Sequence, residues 1–116
     1  MMRTLLAATI CLSTAASALA HSPLKMTVPA DGAELASPPK TITMQFGKSA
    51  RLTKVTVKQE KASDPVRLDL PTKSFARAFE MDGIPKAAGS YLVRWRALGK
   101  DGHVLKGSFG YTVAPR

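Results

Sequence analysis

Apolar and polar residues alternate with a period of two along much of the chain. The clearest run has apolar side chains at every second position from Tyr91 to Ala97, with Trp95 among them and Arg94 and Arg96 between them. The same alternation recurs at residues 42–46, 54–58, 66–70 and 108–113. Since successive side chains of a strand point to opposite faces of a sheet, each run predicts a strand with one buried and one exposed face.

Turn-forming clusters rich in proline and glycine separate these runs, at residues 29–32, 37–39, 63–65, 82–85 and 88–89. Two further strands are predicted at residues 24–28 and 74–79, and no segment has a convincing helical period. About seven short strands joined by turns predict one all-β domain. We expect an antiparallel sandwich of immunoglobulin-like build, with Trp95 as an anchor of its core.

The first twenty residues have the pattern of a cleaved secretory signal peptide. Arg3 supplies a positive start, an apolar run follows from Leu5 to Ala16, and Ala18 and Ala20 are the small residues of a cleavage site. The run is too short to span a bilayer; the alternative is an N-terminal helix of the folded domain. We therefore predict a signal peptide at 1–20, a mature domain at 21–116, and export to the periplasm.

The mature domain contains no cysteine, because the single cysteine, Cys11, lies within the predicted signal peptide. A lipoprotein anchor at Cys11 is rejected because Ile10 before it is not small. The mature domain therefore has no disulfide, no cysteine nucleophile and no thiolate metal site. Any metal site must use His, Asp, Glu, Met or the new amino terminus.

The two histidines of the chain are the most informative candidates for such a site. Cleavage after Ala20 makes His21 the first residue, so its α-amine and its imidazole Nδ1 can close a chelate ring on one ion. The free amine has a pKa of roughly 7.7–8.0, so a metal can displace its proton near neutral pH. The alternative is an ordinary frayed terminus.

His103 follows Asp101 and Gly102 in the predicted turn before the last strand. In extended backbone, the Asp101 and His103 side chains would point to the same side, with Cα atoms about 6.5–7 Å apart, which is close enough to share an ion. Gly102 between them also permits an unusual turn. Together with His21 they offer three nitrogens and one oxygen, a set that suits tetragonal Cu(II). The alternative is a turn with a solvated histidine.

The basic composition excludes little by itself. The chain has 17 Lys and Arg against 8 Asp and Glu, a formal net charge of +9, and the cations are spread singly along it. Outward strand positions already account for Lys54, Lys58, Arg94 and Arg96. Nucleic-acid binding would need a concentrated patch of cations with accessible aromatic rings, so we do not expect this chain to bind nucleic acid. Attraction to anionic headgroups or to an acidic partner stays open.

The length of 116 residues excludes a large two-domain enzyme, and no apolar run after residue 20 could span a membrane.

Several segments, in this order, resemble the CopC family of periplasmic copper-resistance proteins: residues 21–24 (His-Ser-Pro-Leu), 29–32 (Pro-Ala-Asp-Gly), 42–46, 88–97, 101–103 (Asp-Gly-His) and 107–109 (Gly-Ser-Phe). The resemblance covers nearly all of the mature chain. It implies a seven-stranded Greek-key β-sandwich that binds one Cu(II) through His21, Asp101 and His103. It further implies a monomer that acts in copper homeostasis and resistance, with a membrane copper transporter of the CopD type as a possible partner.

The chain departs from the family pattern in two places. Some members hold Cu(I) in a methionine-rich loop, whereas the mature chain has only the dispersed Met26, Met44 and Met81, so we expect a protein for Cu(II) only. Met44 belongs to an apolar alternation and is expected in the core. Some members also carry an acidic residue after the strand at 42–46, where this chain has Gly47, Lys48 and Ser49.

These observations predict a non-enzymatic Cu(II) carrier or buffer of the periplasm. One alternative is a copper oxygenase, since those enzymes also use an N-terminal histidine, although they are usually larger and disulfide-bonded. The other is an interaction module that binds no metal. Neither nucleic acid binding nor a membrane-spanning segment is expected.

Overall fold

The computed structural model describes residues 23–115, so the predicted signal peptide and His21 lie outside the described residues. The described chain forms seven β-strands: β1 (Leu24–Val28), β2 (Ala33–Leu35), β3 (Ile42–Gln59), β4 (Val66–Arg67), β5 (Ala76–Met81), β6 (Gly89–Gly99) and β7 (Val104–Val113). Between residues 23 and 115 no helix has the length and apolarity to cross a bilayer. The all-β prediction is confirmed.

The strands are hydrogen-bonded in the order β1-β3-β6-β7-β2, and β4 and β5 also pair with β3. Most pairs are antiparallel, but β2 runs parallel to β7. The curled sheet forms the predicted Greek-key β-sandwich. The longest continuous pairing joins β6 and β7, from Gly89 opposite Val113 to Leu98 opposite Val104. The turn at the end of this hairpin carries Asp101 and His103.

Strand β3 is longer than predicted, because the runs at 42–46 and 54–58 belong to one strand of 18 residues. Its first part pairs with β1 and β5, and its second part pairs with β6 and β4. A bulge between Leu52 and Lys54 shifts the register, so that Leu52 and Val55 both face the core although they are an odd number of residues apart. Strand β3 therefore runs through both layers of the sandwich.

Two short strands also differ from the sequence prediction. Strand β2 was not predicted, because three residues are too few to show a period. The run predicted at 66–70 pairs as a strand only at Val66 and Arg67. Leu68 is buried, and its N–H donates to the carbonyl of Val55 at 2.9 Å. The run predicted at 74–79 is β5, shifted by two residues.

Aromatic and aliphatic side chains fill the space between the layers. Apart from the hydroxyl or N–H groups of the tyrosines and the tryptophan, no polar or charged side chain is buried in the described part of the chain. Trp95 is the predicted core anchor: it is 3% exposed and packs edge-to-face on Phe46, with ring centroids 5.3 Å apart. Phe46 in turn meets Phe79 edge-to-face at 5.8 Å. Phe46 and Phe79 lie on the paired strands β3 and β5, so it is the contact between Phe46 and Trp95 on β6 that joins the two layers.

Candidate metal centre

The β6–β7 turn holds the two candidate ligands that lie within the described residues. The turn closes by two backbone hydrogen bonds: Gly102 N donates to the Gly99 carbonyl at 3.0 Å, and Gly99 N donates to the His103 carbonyl at 2.9 Å. Gly102 has φ +86°, a conformation that suits glycine. Residues 101–103 therefore form the predicted turn and are not extended. A tight turn, not strand geometry, sets the relative position of Asp101 and His103.

This turn brings the two side chains into direct contact. Asp101 Oδ2 lies 2.8 Å from His103 Nδ1, and Asp101 Oδ1 accepts a hydrogen bond from the backbone N–H of His103 at 3.1 Å. Both side chains are largely exposed, 68% for Asp101 and 81% for His103. The pair therefore faces water at the end of the sandwich, where an ion can reach it without any opening of the fold.

The contact changes the proton affinity of both groups. The hydrogen bond from the His103 side chain is the main cause that lowers the pKa of Asp101 below its ordinary value. The hydrogen bond to the Asp101 side chain, followed by its negative charge, raises the pKa of His103. Each shift favours the charged form, because each group stabilises the charge of the other. A metal ion that binds here must displace the proton that the pair shares.

Gly99 is a residue of the site that the sequence analysis did not select. A Cβ built at position 99 would lie 2.8 Å from Asp101 Oδ1, so any residue other than glycine would make this carboxylate shift. Only glycine therefore leaves the Asp101 carboxylate in its position above the end of β6. The signal in the sequence was the pair of glycines, Gly99 and Gly102, that flank the turn, but spacing alone gave no contact between Gly99 and Asp101.

The start of the described chain lies at the same end of the sandwich as this turn. The N–H of Gly47 donates to the carbonyl of Pro23 at 3.1 Å, and Gly99 lies opposite Ala50. Gly47 and Ala50 are three residues apart on β3, which corresponds to about 10 Å along an extended strand. Pro23 and the β6–β7 turn are thus attached to neighbouring positions on one strand.

Within residues 23–115 no three His, Cys, Asp or Glu side chains form a cluster that could hold a metal ion. Asp101 and His103 are the two candidate ligands that lie in this range, and the third, His21, lies outside it. The structure therefore brings two of the three predicted ligands together and describes no position for the third.

The methionines divide between core and surface. Met44 and Met81 are buried, at 0% and 2% exposure, and lie in the paired segments of β3 and β5. Met26 is 47% exposed. The expectation that Met44 is a core residue is confirmed, and two of the three thioethers are enclosed by apolar neighbours.

Comparison with known proteins agrees with the family resemblance. The CopC domain profile matches residues 24–114. Copper resistance protein C of Escherichia coli is 32% identical over 107 residues, with 84% of each chain covered. Two similar solved structures are CopC from Methylosinus trichosporium OB3b and PcoC, a methionine-rich copper resistance protein from Escherichia coli. The first has a TM-score of 0.67 and 25% identity, covering 83% of this chain and 96% of that one. The second has a TM-score of 0.59 and 26% identity, covering 81% and 99%.

The fold and the sequence similarity together define a small β-sandwich protein of the class that includes copper resistance proteins. The chain belongs to the CopC family. The resemblance drawn from the segments at 42–46, 88–97 and 101–103 is thereby confirmed.

Proposed function

We propose that this protein is a periplasmic Cu(II) carrier or buffer that serves copper homeostasis and resistance. In this proposal residues 1–20 are removed on export, and the mature domain at 21–116 binds one Cu(II) through His21, Asp101 and His103. The observation that carries the proposal is the exposed contact between Asp101 and His103, at the end of the sandwich where the described chain begins. The names of its relatives support copper as the ion.

The geometry of the pair suits two neighbouring ligands of one ion. Two donor atoms that each lie about 2.0 Å from a metal and meet it at a right angle are about 2.8 Å apart. Asp101 Oδ2 and His103 Nδ1 already have a separation of 2.8 Å. A metal ion that replaces the shared proton requires the two exposed side chains to rotate, so that both donor atoms point at the ion and not at each other.

His21 supplies the remaining nitrogens in this proposal. It precedes Pro23 by two residues, and two extended residues span about 7 Å. Its imidazole and its freed α-amine bring the donor set to three nitrogens and one carboxylate, which favours tetragonal Cu(II) over ions that prefer all-oxygen sites. The proposal includes no catalytic step: the chain binds and releases the ion as a monomer, and a membrane copper transporter of the CopD type is the proposed recipient.

The central experiment is Cu(II) titration of protein that has been exported with its own leader. Mass spectrometry should show a chain that begins at His21 and gains one copper ion. The EPR spectrum should be tetragonal, with hyperfine coupling to several nitrogens.

Matched variants separate the three ligands. An added Gly-Ser before His21 blocks the α-amine, His103→Ala removes an imidazole, and Asp101→Asn keeps a hydrogen-bond acceptor but loses the anionic ligand. Each should weaken Cu(II) binding, whereas Asp82→Asn, an exposed aspartate away from the turn, should not. Undiminished one-to-one binding by the variant His21→Ala, His103→Ala would refute the proposal. A competition assay in which Asp101→Asn binds like the parent would remove Asp101 from the ligand set.

A further inference from the structure

The outward side of the β3–β6–β7 sheet carries a concentration of positive charge that the linear sequence does not reveal. Five cations line one groove on this side: Lys54, Lys58, Arg94, Arg96 and Lys106. We call these five residues the basic face. They come from three strands and are separated in sequence by as many as 52 positions. The expectation that the cations form no concentrated patch is therefore wrong, because strand pairing brings them together.

Strand register places three of these cations in one row. Lys54 lies directly opposite Arg96, and Arg96 lies directly opposite Lys106. Side chains that face each other on neighbouring strands are about 4.5–5.5 Å apart at Cβ, and like charges in this position repel. Repulsion between the three cations of the row therefore destabilises the sheet in the free protein.

No acidic side chain of the described chain neutralises this row. The one ion pair within residues 23–115 joins His103 to Asp101. Glu60 is the single acid among the residues that line the groove, and it lies beyond Lys58, at the end away from the row. The basic face thus keeps its full charge available for a ligand of opposite sign.

The shape and composition of the groove favour one kind of ligand. Its volume is about 1200 Å³ and it is open to solvent along the face of the sheet, so an extended chain has room to lie in it. Leu92, at 37% exposure, is the one large apolar side chain that projects outward among its lining residues. Tyr91 and Trp95 are buried, so no aromatic ring is offered for stacking on a base.

We propose that the basic face binds an acidic, extended peptide segment of a partner protein. Carboxylates at every second position of such a segment would repeat at about 7 Å and could lie against the rows of cations on the three strands. Lys106 is three residues from His103 on the same hairpin, so a bound segment would end beside the β6–β7 turn. The peptide site itself does not depend on copper.

The test uses metal-free mature protein and a fluorescent peptide of alternating Glu and Ser, with an otherwise identical Gln–Ser peptide as the neutral control. Fluorescence anisotropy should detect binding of the Glu–Ser peptide but not of the Gln–Ser peptide. The binding should weaken as added salt screens the electrostatic attraction. A row variant with Lys54→Gln, Arg96→Gln and Lys106→Gln should bind about tenfold more weakly.

A charge-matched variant distinguishes a site from net charge. Lys25→Gln, Lys40→Gln and Lys86→Gln removes three exposed cations from other parts of the surface and should bind the peptide as the parent does. Equal losses in the two variants would overturn the proposal, and so would binding of vesicles containing phosphatidylglycerol without binding of the peptide. The row variant should unfold at the same or a higher temperature than the parent, since repulsion is removed. With the melting temperature measured and not lowered, a loss of binding is not due to unfolding.

Discussion

The indole ring of Trp95 lies against Gly107, its direct partner on the neighbouring strand. A Cβ at position 107 would come within 2.8 Å of Cζ2 and 3.0 Å of Nε1 of the ring. Because the ring also packs edge-to-face against Phe46, any movement of the ring away from Gly107 changes that contact. The close approach of indole and backbone therefore requires glycine at this position.

The variant Gly107→Ala should lower the free energy of unfolding by about 1–3 kcal/mol, since the added methyl overpacks the core. Urea denaturation of the metal-free protein measures the change. Gly47→Ala is the control: nothing lies within 4 Å of its Cβ position, so its stability should be unchanged or slightly higher. Equal stabilities for Gly107→Ala and the parent would show that the ring moves freely.

Two buried tyrosines differ in how their hydroxyl groups are satisfied. Tyr91 and Tyr111 stack at 5.1 Å with 14° between their planes. The Tyr91 hydroxyl donates to the Ala87 carbonyl at 2.5 Å, whereas the Tyr111 hydroxyl has no hydrogen-bond partner in the part of the chain that the structure describes. Tyr91→Phe should therefore cost about 0.5–1.5 kcal/mol, and Tyr111→Phe should be neutral or stabilising. Thermal unfolding of the two variants checks this order, and the reverse order would contradict it.

The same tyrosines should make the fold sensitive to alkali. Burial is the main cause that raises the pKa of Tyr111 to about 12, and the charge of ionised Tyr91 adds to it. Burial also raises the pKa of Tyr91 above 10.0. Because both shifts favour the neutral form in the folded state, their stabilisation is complete below pH 10 and is lost as the pH rises from 10 towards 12.

Tyrosinate absorbance should therefore increase above pH 10 in the folded protein and at lower pH in urea. Stability measured by urea denaturation should fall over the same alkaline range. In Tyr111→Phe the fall should be smaller, since one of the two shifted groups is absent. An identical pH dependence for the variant and the parent would exclude this role for Tyr111.

Gly99 should act as a positioning residue for the proposed copper site. A methyl group at position 99 would displace the Asp101 carboxylate, so Gly99→Ala should weaken Cu(II) binding by about tenfold or more without removing a ligand. Competition with a copper chelator measures the affinity, and EPR should show altered coupling. Lys100→Ala, an exposed change in the same turn, should bind Cu(II) no more weakly than the parent. If Gly99→Ala retains the parent affinity, Cu(II) binding does not depend on the present position of the Asp101 carboxylate.

Much of the fold could be predicted because the relevant pattern is local. The alternation around Trp95 predicted β6 and the inward direction of its aromatic side chains, and both are confirmed. The continuity of β3 could not be predicted in the same way. Its bulge after Leu52 and its exposed residues at 47 and 48 break the alternation. The two halves form one strand because β1 and β5 pair with it before residue 47 and β6 pairs with it from Ala50 onwards.

The sequence by itself determined which chemical groups the domain can offer: two histidines, no cysteine in the predicted mature domain, and a net positive charge. It also determined that Asp101 and His103 are neighbours, since they are two residues apart. Two features are decided only by the tertiary structure. The left-handed backbone conformation of Gly102 brings the Asp101 and His103 side chains into contact, and strand pairing places Lys54, Arg96 and Lys106 in one row. The physical reason is that alternation depends on the backbone of one strand. A row across strands depends on hydrogen bonds between residues far apart in sequence, and the turn closes through local backbone hydrogen bonds that alternation does not reveal.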